Sequence, residues 1–424
     1  MKIRLAYGKE GLWVELPNHN LTVLEPRYVP GLQDEREAIR AALRGPIGSP
    51  PLGELVKSGD TVAIVFSDLT RPQPREPMLS VLLEEIPQVR QESIVLINAL
   101  GTHRPNTEAE LVAMLGQDIA RNYRIVQHDA WETDSMVHVG QTSSGHQAYV
   151  NGDYVRADFR ILTGFIEPHL FAGFSGGPKA VLPGVADQGA ILLNHGWGMI
   201  GHARASWGVT EGNPIWEEMR EVALMTSPHF ILNVALNAAQ EITGVFAGDL
   251  LAAHRQGVEF VRSTSAVPVG ALFDIVITSN SGYPLDLNLY QSVKGMSAAA
   301  RIVKPGGSIV LAAECWDGLP EHGEYAGLLR MASSPEQLLD IIGSAHSPRQ
   351  DQWDAQIQAQ ILRKAKVYLK SSYLTKEQVE AALLIPCVSI EETVDALLNE
   401  YGRDAAICVL PQGPMTIPYL EQGR

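Results

Sequence analysis

Cysteine is scarce in this chain: three in 424 residues, at positions 315, 387 and 408, with no Cys-x-x-Cys pair. That excludes a cysteine-built metal centre and a disulfide framework, and a reducing, cytoplasmic setting is expected. No apolar run reaches membrane-spanning length. The opening residues, MKIRLAYGKEGLWVEL, alternate like a strand and lack the long apolar stretch of a signal peptide. Basic residues are outnumbered, 33 Lys and Arg against 48 Asp and Glu, for a formal charge of −15. Nucleic acid and membrane are therefore not expected as partners, although a local basic pocket can still draw a small anion. Repeats and low-complexity tracts are absent too.

What is present reads as α/β. TVAIVFSD (61–68), ESIVLINALG (92–101) and DFRILTGF (158–165) are apolar runs of strand length, and TEAELVAML (107–115) opens a helix on a Thr107–Glu110 capping box. A second βα series follows: a strand at 273–280, a helix at 287–303 closed by the turn KPGG (304–307), and a strand at 308–315. Residues 331–366 have a helical pattern, and 365–371 a strand pattern. The expected architecture is two α/β domains with mostly parallel sheets and the active site in the cleft between them. Residues 1–267 form the first domain, joined by 405–424. Residues 271–404 form the second, and STSAVPVG (263–270) is the hinge.

Ligands of parallel α/β sheets bind beyond the carboxyl ends of the strands. Three strands here end in unusual polar loops: SDLTRP, with Asp68, Thr70 and Arg71; GTHRP, with His103 and Arg104; and GFIEPH, which runs through His169 into FAGFSGGPKAVLPG with Lys179. If these strands are neighbours, the groups share one crevice. Each alone has a bland reading, as a turn, a structural histidine or a surface pair. Lys179 resists one. Gly173, Gly176 and Gly177 allow close approach of backbone, and a lysine held there is a phosphate contact, a base or a covalent anchor. The order Gly177-Pro178-Lys179-Ala180 is not a Walker A loop. Asp187 is placed to cap a helix that carries His195, which either ligates a metal or packs against tryptophan. His202 is seven residues further on, but three intervening glycines make one continuous helix doubtful. In LYQSVKG, Tyr290, Gln291 and Lys294 share a helix face suited to a carboxylate, or to solvent. Trp353 is a core anchor or a stacking platform.

These segments together resemble the lactate racemases that use a nickel-pincer nucleotide, and the wider group of 2-hydroxy-acid racemases and epimerases. The carriers are SDLTRP (67–72), GTHRP (101–105), PHLFAGFSGGPKAVLPG (168–184), NHG (194–196), YQSVKG (290–295) and Trp353, spread over nearly the full length. The resemblance implies an isomerase. It implies that Lys179 tethers the cofactor, a pyridinium-3-thioamide-5-thiocarboxylic acid mononucleotide carrying nickel, through a thioamide. His195 would be the protein's ligand to the metal, beside the cofactor's own carbon and two sulfurs, a donor set that suits planar Ni(II). His103 and His169 would be the acid/base pair; Arg71, Gln291 and Lys294, with Tyr290, would hold the substrate. Asp68 with Thr70, Gly176, Gly177 and Trp353 would line the cofactor. Cofactor-building and nickel-inserting enzymes would be the maturation partners.

The chemistry wants these groups. The C–H beside a carboxylate is poorly acidic, so oxidation to a planar 2-keto acid and return of hydride to the other face is the accessible route. Each enantiomer presents its hydroxyl to a different side, hence two imidazoles, each worth roughly 10²–10⁴-fold. A cation must hold the carboxylate while the keto acid turns. Two other readings of the same residues stand beside this one: a Schiff-base or phosphate-binding lysine enzyme, and a non-catalytic protein that binds a small anion.

Overall fold

In a computed structural model, residues 1–320 and 323–421 are described. Two six-stranded sheets organise them. The first runs, edge to edge, Ile242–Gly248, Phe230–Leu236, Phe159–Phe165, Val62–Ser67, Ile94–Ala99 and Arg124–Gln127. All neighbours are parallel except the edge strand Ile242–Gly248. The second runs Ile385–Pro386, Lys366–Lys370, Val303–Ala312, Phe273–Ser279, Ile407–Leu410 and Leu21–Val23, parallel throughout. The central segments VAIVFS, IVLINA and FRILTGF are buried on both faces, which is why their apolar runs do not alternate. One apolar core continues from the first sheet, through Leu162 and Phe174, to the second, through Met296 and Leu311.

The two α/β units and their mostly parallel sheets are as expected. Three local expectations differ. KPGG does not end the helix: Leu289–Ala300 stops at Arg301, and 304–307 bulge inside the next strand, so that Phe273 pairs with Val303 but Ile275 with Ser308. Gly306, at φ +79°, permits that bulge. The expected hinge is ordered structure. The helix Leu250–Ser265 runs into it, with the Thr264 and Ser265 hydroxyls bonded back to Val261 O, and Ala266–Val269 then pairs in parallel with Ile417–Leu420. Residues 331–366 form two helices, Pro335–Gly343 and Gln352–Leu362.

The segment 405–424, expected to rejoin the first unit, instead sends Ile407–Leu410 into the second sheet (422–424 lie outside the described residues). Its four residues are all buried, so it needs neighbours on both sides, and it finds them in Phe273–Ser279 and Leu21–Val23. The chain's beginning therefore also contributes to the second sheet, and not only to the first unit.

Candidate active site

The strand order answers the neighbour question. Val62–Ser67 lies between Ile94–Ala99 and Phe159–Phe165, so the three polar loops leave adjacent carboxyl ends, where the strand order changes direction. They open on a cleft with an empty volume of about 1000 Å³. Asp68, Arg71, His103, His169, Gly176, Lys179 and His195 line it from the first unit; Tyr290, Gln291, Lys294 and Trp353 line it from the second. Thr70 and Gly177 do not line it. Thr70 stands behind, donating to Asp68 Oδ1 at 2.8 Å, and Gly177 donates its N–H to Asn233 Oδ1 at 2.8 Å.

Local structure fixes each group. The SDLTRP loop is fastened by the buried Arg75, whose guanidinium donates to the carbonyls of Ser67 (2.5 Å), Asp68, Arg71 (2.7 Å) and Gln73 (3.0 Å). The glycines of the lysine loop answer protein packing. Gly176 (φ +77°) and Gly177 (φ +50°) adopt left-handed backbone, and an added Cβ would meet Asn233 and Phe165 at the first, and the His254 ring at the second. Asp187 caps the helix Gln188–Asn194, accepting from Ala190 N at 3.1 Å, and His195 is the residue at which that helix ends. A separate short helix starts at Trp197, so His195 and His202 share no face. Tyr290, Gln291 and Lys294 do share one, and it faces the cleft; Lys294 Nζ donates to Gln291 Oε1 at 2.9 Å. Trp353 is both core and site. It is 5% exposed, its ring meets His195 edge-on at 4.9 Å, and its Nε1–H donates to the Tyr290 hydroxyl at 2.9 Å.

The two candidate acid/base histidines are held differently. His103 Nδ1 lies 2.5 Å from Asp68 Oδ2. Burial opposes charge on Asp68, but the charge and hydrogen bond of His103, with Arg71 and Thr70, hold its carboxyl at about 2. That bond leaves His103 Nε2 for the cleft. His169 accepts the Ala172 N–H on Nδ1 at 3.3 Å, and its Nε2 lies 3.0 Å from Lys179 Nζ. With Nδ1 accepting, a neutral imidazole carries its proton on Nε2 and donates it to an unprotonated amine. The electrostatics agree. Burial, then the cations around it, push His169 well below the usual imidazole range. Burial, with Arg71 and Lys294, pushes Lys179 well below the usual amine range.

Sequence reading missed three contributors. Glu167, before Pro168, faces Lys294, Arg71 and Lys179; burial pushes its carboxyl up and those cations pull it back. Asp354 lines the cleft beside Lys294 and near the Tyr290 hydroxyl; burial raises its carboxyl, while burial and Arg71 lower Lys294. Arg75 is the third. The one available signal was an acid inside each of the apolar stretches GFIEPH and DQWDAQIQAQIL. Arg71 Nη1 and Asp354 Oδ1 are buried without hydrogen-bond partners, so the cleft keeps an open donor and an open acceptor, a mark of a ligand site.

The residues fit a tethered metal cofactor. Among the described residues no group of three His, Cys, Asp or Glu could hold a metal alone, so further donors must come with the ligand. His195 Nδ1 is engaged by Ile191 O at 3.1 Å, which leaves Nε2 with a lone pair. Burial and Lys179 push that imidazole down to about 3, so it stays neutral, as a ligand must.

Comparison with known proteins agrees. Residues 7–208 match the lactate racemase N-terminal domain and 270–417 the lactate racemase C-terminal domain. The chain is 37% identical over 422 residues to the lactate racemase of Thermoanaerobacterium thermosaccharolyticum, covering 98% of each chain. It is 36% identical over 419 residues to that of Lactiplantibacillus plantarum, covering 97% of this chain and 98% of the other. The structure of the T. thermosaccharolyticum lactate racemase apoprotein superposes with a TM-score of 0.93 at 36% identity, over 100% of both chains. A Thermotoga maritima protein at 17% identity, with a TM-score of 0.69 over 93% of this chain and 100% of the other, shares the fold. An α/β cleft whose polar loops carry a buried lysine, matched along nearly its whole length, makes this chain a member of the lactate racemase family, the isomerases that work with a nickel-pincer nucleotide.

Proposed function

We propose that the chain interconverts the stereoisomers of a 2-hydroxy carboxylate, with the substrate's carboxylate held between Arg71 and Lys294. The observation that carries this is the convergence of His103, His169, Arg71, Lys294 and Lys179 on one cleft. The open Nη1 of Arg71 is a donor waiting for an anion. Lys294 adds a point charge, and Gln291 Oε1 fixes its ammonium. Tyr290 and Gln291 form the side wall.

Lys179 is the anchor for the cofactor. Burial and the cations Arg71 and Lys294 favour the unprotonated, nucleophilic form of this amine. His195 is its ligand to nickel, and Trp353 packs edge-on beside that imidazole. Asp68, Thr70, Gly176 and Gly177 shape the surrounding wall, Thr70 and Gly177 from behind it. When bound, the cofactor supplies a reversible hydride acceptor.

The chain's own part is proton transfer and confinement. His103 takes or returns the hydroxyl proton on Nε2, while Asp68 holds the ring and stabilises the imidazolium. His169 is the second acid/base group, on the buried side, and holds its proton on Nε2 while Lys179 is untethered. There burial disfavours the charged form, so the proton is readily given back. Two hydrogen bonds join the units: Gln356 Nε2 to Trp197 O at 3.0 Å, and Trp207 Nε1 to Ser297 Oγ at 3.0 Å. Small closing motions of one unit against the other would exclude water and keep the keto acid in place. We assign residues from 271 to 404 to the closing unit, place the protein in the cytoplasm, and assign its maturation to dedicated cofactor-building and nickel-inserting enzymes.

The test is intact mass and nickel content after expression with and without those enzymes, followed by loss of optical rotation with a panel of 2-hydroxy acids. An adduct that needs both the enzymes and Lys179, together with racemisation, is expected. A borohydride-trapped carbonyl adduct without nickel would favour a Schiff-base lysine instead.

A further inference from the structure

Behind the lysine loop, away from the active cleft, lies a second polar cavity with an empty volume of about 1000 Å³. It is built from one face of each of two helices. Trp216 and Arg220 are four apart on Pro214–Met225; Arg255 and Arg262 are seven apart on Leu250–Ser265. Arg204 joins them from a loop. Four guanidiniums around one cavity are unexpected in a chain of charge −15. Glu211 and Glu259 line it too, yet among the described residues none of the four arginines is in an ion pair. Arg255 and Glu259 have i,i+4 spacing, but with the cation first, the weaker order for pairing on a helix. Two of them are held by backbone and ring: Arg262 donates to Gly208 O at 3.1 Å and lies over the Phe174 ring, and Arg204 donates to Glu211 O at 2.6 Å.

The wall is preorganised. Arg220 lies over the Trp216 ring at 5.3 Å from its centroid, and His254 stacks near that ring at 6.3 Å with 16° between planes. Trp216 is 9% exposed, and its Nε1–H is buried with no partner. A buried donor left open beside four guanidiniums with no carboxylate partner is a site missing its anion. With Arg220 and His254 packed near the indole ring, there is little room to stack a base. We infer that this cavity binds the phosphate group of a phosphorylated small molecule, on the back of the loop that carries Lys179. His254 makes that connection directly: its Nε2 donates to Ser175 O at 3.0 Å, and its ring is what a side chain at Gly177 would strike.

Calorimetric titration of the full chain with inorganic phosphate, and in parallel with a nucleoside 5′-monophosphate, tests this. Saturable binding is expected, weakened about tenfold or more in Arg220→Gln/Arg255→Gln, since each lost charge-assisted contact is worth roughly that factor. Glu259→Gln, which removes a repelling carboxylate, should tighten binding severalfold. Equal affinity for the two anions assigns the bare phosphate group, and tighter binding of the nucleotide assigns a phosphomonoester; both support the site. Absence of saturable binding overturns it. So does binding that survives both arginine substitutions but is lost in Arg71→Ala, which would place the anion in the active cleft.

Discussion

Asp68 and Lys179 set the chemistry of the two histidines, and they set it unequally. His103 leans on a carboxylate, whereas His169 faces an amine in a ring of cations. Replacing Asp68 by Asn keeps the shape but removes the charge that stabilises an imidazolium. Turnover should fall about 10²–10⁴-fold with little change in KM, measured by polarimetry on the loaded enzyme. The same residue gives a pH signature. Unfolded, its carboxyl takes a proton near 3.8; folded, it does so only at about 2. Between those values the unfolded chain binds the extra proton, so stability rises with pH and falls on acidification. Urea midpoints from pH 5 down to pH 2 should therefore drop more steeply for the parent than for Asp68→Asn. A depressed amine also predicts that, without cofactor, a small acylating reagent at neutral pH modifies Lys179 ahead of the surface lysines. Peptide mapping reads that directly, and preferential labelling elsewhere would count against an unprotonated Lys179.

Loops and caps hold these groups, and here the sequence was legible in some places and silent in others. The capping box at Thr107 and the cap at Asp187 are both present. They are local hydrogen bonds between residues three apart, which a sequence displays openly. The face shared by Tyr290, Gln291 and Lys294 was legible for the same reason, although composition could not say that it is turned inward. KPGG misled because glycine serves a strand bulge as well as a helix stop, and only the partner strand decides. Arg75 was invisible: its four acceptors are carbonyls, which carry no sequence signal. Asp187→Ala should cost about 1 kcal/mol, the worth of a cap, and more if the Tyr149 N–H that its carboxylate also accepts stays buried. Because the capped helix ends at His195, nickel retention after dialysis should fall as well; unchanged retention would separate the cap from the metal.

Across the whole molecule the two sheets share one apolar core, and the cleft lies where their loops meet. The α/β class and the cleft followed from the order of strands and helices. The pairing of both chain ends in the second sheet did not, since nothing within Leu21–Val23 names a partner so far along the chain. Among the described residues no helix is long and apolar enough to cross a membrane. If the units close on substrate, small-angle scattering of loaded enzyme should show a smaller radius of gyration with a substrate analogue than without. Identical profiles would mean that the cleft is already closed.

That distant pairing has a consequence for how the protein is made. The first sheet, Val62 to Gly248, comes off the ribosome as one uninterrupted stretch. The second cannot be completed until its strand Ile407–Leu410 emerges to lie between Phe273–Ser279 and Leu21–Val23. At about 5–20 residues per second, the roughly 380 residues between those two chain ends take roughly 20–80 s to synthesise. For that interval the nascent amino terminus carries a strand without its neighbour, and the half of the cleft that bears Lys179 can be finished before the half that bears Lys294 exists.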